Sequence, residues 1–419
     1  MTLLSQAPAT REAPSSPTRR TSGHLRSVDV VRVITVAGVI SVHSISFTNS
    51  RTSPFPGALV SLLHVNREIF LLLSAFVLTY AYGRRPQWKV TSFWRRRYLL
   101  VVTPYVCWSA IYCGLNEGPF TSVAQGFERF GYDLISGAAS FHLYFLLLSM
   151  QLYLVFPLLL KALKALRRHH LALLVVSFAA QVGFTSVFFY WPPSTGILGY
   201  WAGHPNTDLL SYQFYVIAGG VAALRWDQLS SWVAAHRRLV TASVGAALAL
   251  GLTSYFADLR LLGMSVPRAS QVFQPLIAVE SVAFATGVLC LGQWVEERGS
   301  TRILRVASVG SDTSFGVYLA HPLLLDTLLG LLTSAGVLGT IQGAGVIATL
   351  AFDVAIVVPV VYATAAAGAW LVRRTPLSLA LTGRARQQRP GLPNRIHRLL
   401  ATRVTPPLGE PAPVGGVAP

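Results

Sequence analysis

The stretch Leu171-Ala-Leu-Leu-Val-Val-Ser-Phe-Ala-Ala-Gln-Val-Gly-Phe-Thr-Ser-Val-Phe-Phe-Tyr190 carries no charged residue. A helix needs about 20 such residues to cross the hydrocarbon core of a bilayer, and this run supplies them. Similar runs recur along the 419 residues, of which 53% are hydrophobic and 12% charged. A soluble domain carries about 25% charge, so this chain lacks the charge to cover an aqueous exterior. The runs mark ten candidate spans, at 28–48, 58–82, 98–115, 141–160, 171–191, 209–224, 239–257, 274–294, 309–336 and 342–372. The expected fold class is all-α: a polytopic membrane protein with about ten transmembrane helices.

The charge that remains is lopsided, with 34 Lys+Arg against 16 Asp+Glu and a formal net charge of +18. Such a surplus suits nucleic acid, or basic loops on one face of a membrane. No zinc-finger spacing, helix-turn-helix or RNA-binding signature accompanies it, which excludes a nucleic-acid partner. With the N-terminus inside, 28 of the 34 basic residues fall in segments facing the cytoplasm. Four (Arg51, Arg129, Arg260 and Arg268) fall in external loops, and Arg32 and Arg67 lie within spans. An odd number of spans would scatter this bias, so ten spans with both termini cytoplasmic are expected.

Residues 1–27 and 373–419 are rich in Pro, Arg and small residues and show little apolar periodicity. They read as disordered cytoplasmic tails, the first without the apolar core of a secretory signal. Residues 28–372 are left as the membrane domain. External loops 116–140 and 192–208 carry Glu117, Glu128, Asp133, His204 and Asp208 and read as plain connectors or as part of an acceptor entrance. Cys107, Cys113 and Cys290 lie in apolar stretches without CxxC spacing, which argues against a disulfide framework or a metal site. The ratio of 31 Arg to 3 Lys suits a GC-rich bacterial genome, hence a multi-pass protein of the bacterial plasma membrane.

Ionisable residues inside a bilayer are costly and line interior paths. In the first span, Arg32 and His43 are eleven residues apart. At 100° per residue both lie on one helix face, separated by about 16 Å along the axis. Asp29 sits one turn below Arg32, within pairing distance. Two readings of each residue stand: Arg32 snorkels to the interface or lines a path, and His43 is a satisfied interior histidine or a working one. In the second span, Asn66-Arg67-Glu68 lies well inside the outer half. Neighbouring positions diverge by about 100°, so Arg67 and Glu68 are each expected to pair with another helix, through Glu280, Asp326 or Asp353. That arrangement is an ion-pair clamp or a substrate site. In the ninth span, Ser314-Phe-Gly-Val-Tyr318-Leu-Ala-His321-Pro322 sets Tyr318 and His321 within one turn. Pro322 frees the carbonyl of Tyr318. Either this is a kinked helix with an interfacial aromatic, or it aims polar groups into a cavity.

The segment Arg26-x-x-Asp29-x-x-Arg32 followed by ten residues and His43 resembles the first-helix signature of the type-three integral membrane acyltransferases. Phe70-Leu-Leu-Leu-Ser-Ala-Phe76 resembles that family's Phe-Phe-x-x-Ser-Gly-Phe segment, with Ala75 in place of Gly. Phe93-Trp-Arg-Arg-Arg97 to Pro104-Tyr105 resembles its basic segment, with Leu100 where a second Arg is usual. His142-Leu-Tyr-Phe-Leu to Tyr153-Leu-Val-Phe-Pro157 resembles its His-x-Trp-Phe to Tyr-x-x-x-Pro segment, with Tyr144 in place of Trp. The Tyr318-Leu-Ala-His321 segment resembles its late motif, so five matches run in order over most of residues 25–325.

The resemblance implies transfer of a short acyl group, acetyl above all, from cytoplasmic acyl-CoA to a hydroxyl of a sugar-containing or other acceptor. Acyl-CoA is then a co-substrate, and no permanently bound cofactor is expected. A hydroxyl is a poor nucleophile at neutral pH, so His43 is the candidate general base. Arg67 or Tyr318 is the candidate donor to the developing oxyanion. Arg32 lies too far from His43 to touch the same carbonyl and is assigned to the donor, with Arg95, Arg96 and Arg97 meeting its phosphates. Glu68, His142, Tyr144 and His321 are the candidate acceptor-binding residues. A transporter or flippase using the embedded charges for gating, and an inactive relative serving a biosynthetic partner, are the alternatives.

Overall fold

Hydrocarbon offers no partner for a backbone N–H or C=O, so a spanning chain must satisfy both within one helix or a closed barrel. The computed structural model describes residues 25–116 and 122–387, and among these the chain is helical with no strand. Nine helical segments among the described residues are long and apolar enough to cross a membrane. The first is α1 (Arg26–Thr48). The second, Pro54–Gly83, is α2 (Pro54–Leu63) and α3 (Val65–Gly83) joined at His64. Then come α4 (Val90–Asn116), an unforeseen helix α5 (Val123–Ser136), α6 (Tyr144–Ala165) and α7 (His170–Tyr190). A short α8 (Gly196–Gly203) precedes the sixth expected span.

That sixth span is shorter than the rest. It covers Leu209–Leu224, a 3-10 turn capped by Asp208 that runs into α9 (Gln213–Leu224). Sixteen helical residues reach about 24 Å, less than the roughly 30 Å of a hydrocarbon core. The amphipathic helix α10 (Trp226–Ala235) follows, then α11 (Arg237–Arg260), α12 (Val266–Ala269), α13 (Ile277–Arg298) and α14 (Thr301–Ser334). A short α15 (Val337–Gly343) precedes the last span, Val346–Val372, which is α16 (Val346–Phe352), a π-helical turn at Asp353–Val357, and α17 (Val358–Val372).

The expected connector 116–140 is not structureless: α5 starts on Ser122, whose side chain accepts from Gln125 N, and ends on Gly137 in the left-handed conformation. Val123, Phe127 and Ile135 are exposed on it, as on a helix lying in a membrane interface. Glu117 lies outside the described residues.

The C-terminal segment corrects the expectation more sharply. Residues 373–387 do not leave the bundle as a tail. They fold back through α18 (Ser378–Thr382) and insert between α4 and α14. Trp108 Nε1 donates to the Leu381 carbonyl at 3.1 Å. Gly383 adopts a left-handed φ of 61° against the Phe315 ring and the Leu100 carbonyl, where a Cβ has no room. The fold closes on itself through Gln387 N to Arg373 O at 2.8 Å and Arg386 Nε to Arg374 O at 2.9 Å. Five helical residues between Pro376 and Gly383 are too few to show a helical period in the sequence. The rest of that stretch, 388–419, and residues 1–24 lie outside the described residues.

Inside the bundle, α1 is the central strut, packed on α13, α14, α3 and α17. Val36 and Ile40 of α1 meet Val317 and Leu325 of α14 and Val357 and Val361 of the last span. The tightest crossing joins α3 and α9, where Gly219 sits against the backbone of Leu72. Lipid tails give helices no hydrophobic reason to associate, so such close backbone approach through a small residue holds them together. A methyl at Gly219 would lie 2.1 Å from the Leu72 carbonyl oxygen, so Gly219→Ala should destabilise the detergent-solubilised protein by about 1–3 kcal/mol. Gly245→Ala, with nothing within 4 Å, should be neutral or stabilising by up to about 1 kcal/mol. Equal thermal-shift behaviour of the two variants would contradict this packing.

Candidate active site

Three histidines meet at the end of α1 remote from Arg32. His43 is half-buried, with its ring centroid 4.3 Å from Phe141 and 5.6 Å from His321, the latter stacked. His142, on the turn leading into α6, lies 5.2 Å from His321, with Tyr112 and Tyr318 each 5.3 Å from it. Its Nδ1 pairs with Ser140 Oγ at 3.1 Å.

The geometry of His321 follows from the proline after it. Pro322 has no N–H, so the Tyr318 carbonyl loses its helical partner. His321 Nδ1 takes that place and donates to Tyr318 O at 2.7 Å. A carbonyl only accepts, so Nδ1 carries the proton and Nε2 presents its lone pair. That Nε2 is buried and has no hydrogen-bond partner among the described residues. An unpaired acceptor at such depth marks a position where a ligand donor or water belongs. Near Pro322 a second carbonyl is also held: Tyr112 Oη donates to Leu319 O at 2.8 Å.

Tyr318 does not stand free to stabilise an oxyanion. Its hydroxyl donates to the His142 carbonyl, which ties α14 to the start of α6. The arginine–glutamate pair also departs from expectation. Arg67 does not seek Glu280, Asp326 or Asp353; its Nη2 and Nε bond Glu68 Oε1 at 2.6 and 3.1 Å. The helical positions diverge, but the long arginine side chain folds back across the gap. Glu68 is fully buried, and an uncompensated carboxylate there would be costly. Arg67 Nη1 also donates to Asn206 Oδ1 at 2.7 Å, and the guanidinium lies over the rings of Tyr212 and Phe273. The Tyr144 hydroxyl interacts with the same guanidinium. Glu68 Oε2 remains buried without a donor among the described residues. Asp353 instead accepts from Ser44 and Thr48 of α1 at 2.7 and 2.6 Å, and Asp326 is exposed.

Arg32 lies at the other end. Its Nη1 donates to Ser311 Oγ on α14 at 3.4 Å, within Coulomb range of Asp29 and Asp312. Arg32 and His43 thus both face α14, as their spacing predicts. The three consecutive arginines do not act together. Arg97 lies among the Tyr82, Phe93 and Tyr153 rings, whereas Arg95 is exposed and Arg96 half-buried. Adjacent helical positions point about 100° apart, so three in a row cannot share one direction.

Four contributors escape the sequence reading: Phe141 on His43, Ser140 on His142, Asn206 on Arg67, and Arg384 beside Asp312. Phe141 is signalled only by preceding His142, and the others by nothing local.

Comparison with curated proteins and with solved structures yields no match. A family model described as an acyltransferase domain matches residues 25–373, from the residue before α1 to the residue after α17. The chain belongs to the acyltransferase 3 family and is a multi-pass membrane acyltransferase.

Proposed function

We propose that this membrane acyltransferase moves an acetyl or other short acyl group from acyl-CoA to a hydroxyl of a carbohydrate, glycosylated or lipid acceptor. The carrying observation is the stacked His43–His321 pair, with a buried, unpaired Nε2 on His321. Acyl transfer to a hydroxyl needs a group that takes its proton while the oxygen attacks. His43, half-buried at the open end of the cluster, is the general base. His321 Nε2 is an acceptor that orients the same hydroxyl, with the tautomer fixed by the Tyr318 carbonyl.

In the reaction, the acceptor hydroxyl gives its proton to His43 as its oxygen bonds the thioester carbon. The tetrahedral intermediate expels coenzyme A as thiolate, which recovers the proton from the imidazolium. Arg67, Glu68 and Tyr144 form the acceptor side: Glu68 Oε2 takes a sugar hydroxyl, and the Arg67 charge stabilises the developing oxyanion. Arg32 and Arg97 hold the donor at the basic end of the bundle, which faces the cytoplasm of a bacterial plasma membrane in this reading. The roughly 16 Å between Arg32 and His43 suits an extended pantetheine arm running between them.

Membranes containing the chain, supplied with radiolabelled acetyl-CoA, should accumulate label on a hydroxyl-bearing product. His43→Ala should lower that transfer by about 10²–10⁴-fold with the protein still folded. Full turnover by purified His43→Ala would remove the base assignment. Movement of an unmodified substrate without acylation would favour a transporter.

Pro322→Ala offers a second test. It restores an N–H that competes with His321 for the Tyr318 carbonyl. The variant should gain thermal stability, because an internal proline costs a helix about 3 kcal/mol. Its turnover should fall by at least about tenfold, as when a histidine loses its orienting partner. A variant both more stable and fully active would show that the tautomer is irrelevant.

A further inference from the structure

The returning segment 373–387 brings a cation to the basic end of the bundle that the family match, ending at residue 373, does not cover. Arg384 Nη1 lies 3.4 Å from Asp312 Oδ1, and Arg373 bonds the other oxygen of the same carboxylate. Asp312 follows Ser311, the partner of Arg32. Arg384 is within Coulomb range of Arg32, Arg97 and Arg373. Tyr153 connects the group, bonding Arg97 and sensing the charge of Arg32.

Four guanidinium groups therefore converge where, among the described residues, Asp312 and Asp29 are the carboxylates in range. Among the described residues the group is cationic on balance. Like charges gathered at a membrane-embedded site repel one another unless an anion joins them. A second observation points the same way: Arg97 Nε is buried with no acceptor among the described residues. The side chain of Arg384 is 43% exposed. Arg97 and Arg32 stand farther in. The backbone holds Arg384 there: Gly383 has a left-handed φ that other residues adopt only with strain, and Ser378 Oγ donates to the Arg384 carbonyl at 2.8 Å.

We propose that segment 373–387 completes the donor site, and that Arg384 binds the phosphates of the acyl donor at its mouth, together with Arg97 and Arg32. This inference rests on the acyl-CoA reading above. Arginine suits the role because its planar donors pair with phosphate oxygens two at a time. The partner class is a phosphate-bearing thioester donor.

The test is calorimetric binding of coenzyme A to the full chain in nanodiscs, which needs no acceptor. Arg384→Gln should weaken binding roughly tenfold or more, with Arg384→Lys in between. Arg305→Gln, which removes an exposed charge from α14, should bind as the wild type does. Raised salt should weaken wild-type binding, and less so for Arg384→Gln, because one ionic contact is gone. Wild-type affinity in Arg384→Gln would overturn the inference and leave the acyl-CoA reading standing. So would a variant that loses thermal stability without ligand yet keeps its affinity and salt dependence, which marks a purely structural ion pair with Asp312. Absence of coenzyme A binding by the wild type would overturn the donor reading and this inference together.

Discussion

The arrangement of the candidate site depends on one seam, the packing of α1 along α14. The two helices run side by side in the same direction, and they touch at both ends of the candidate site. Arg32 meets Ser311 at one end, and His43 stacks on His321 at the other. Eleven residues on one helix are matched by ten on its neighbour, and between them Val36, Ile40 and Val317 are 0–1% exposed. A packed apolar seam of this kind is stiff. It fixes the distance between the two polar ends.

The same environment explains how the charges are handled. Arg67 and Glu68 are deep and neutralise each other, with the surplus donors of Arg67 taken by Asn206 and by ring faces. At the basic end Asp312 serves both Arg373 and Arg384, and positive charge is left over. A closed ion pair suits a neutral, hydroxyl-bearing ligand, and an open excess of cations suits an anion. The two clusters thus differ in the kind of ligand that their charge suits.

Much of this was legible in the sequence, for identifiable reasons. The 3.6-residue period places Arg32 and His43 on one face without any tertiary information. The missing N–H of Pro322 predicts the free Tyr318 carbonyl that His321 then uses. Nine of the ten expected spans emerge among the described residues as helices long and apolar enough to cross, and the sixth is shorter because Asp208 and Arg225 bracket only Leu209–Leu224. What was illegible depends on reach and on closure in space. Helical angles say where Arg67 and Glu68 point at Cβ, not where a long guanidinium ends. Nothing local reveals that 373–387 re-enters the bundle, because its anchors are Trp108, Leu100 and Phe315, far away in sequence.

Net charge illustrates the difference between counting and placing residues. The +18 surplus is of the kind that basic loops give a multi-pass chain, and most individual basic residues carry no further information. Arg95, Arg96 and Arg97 are consecutive, yet Arg97 is the one seated among aromatic rings next to the Arg32 cluster. Arg384 comes from a stretch whose composition reads as tail and stands in the same cluster. A basic residue becomes informative when the fold gathers it with other cations beyond the acidic partners that the described residues supply. Charge held in that state costs stability, and an anionic ligand would recover that cost on binding. That coupling is the physical reason to look for an anion-binding site where cations crowd together, not where they are most numerous.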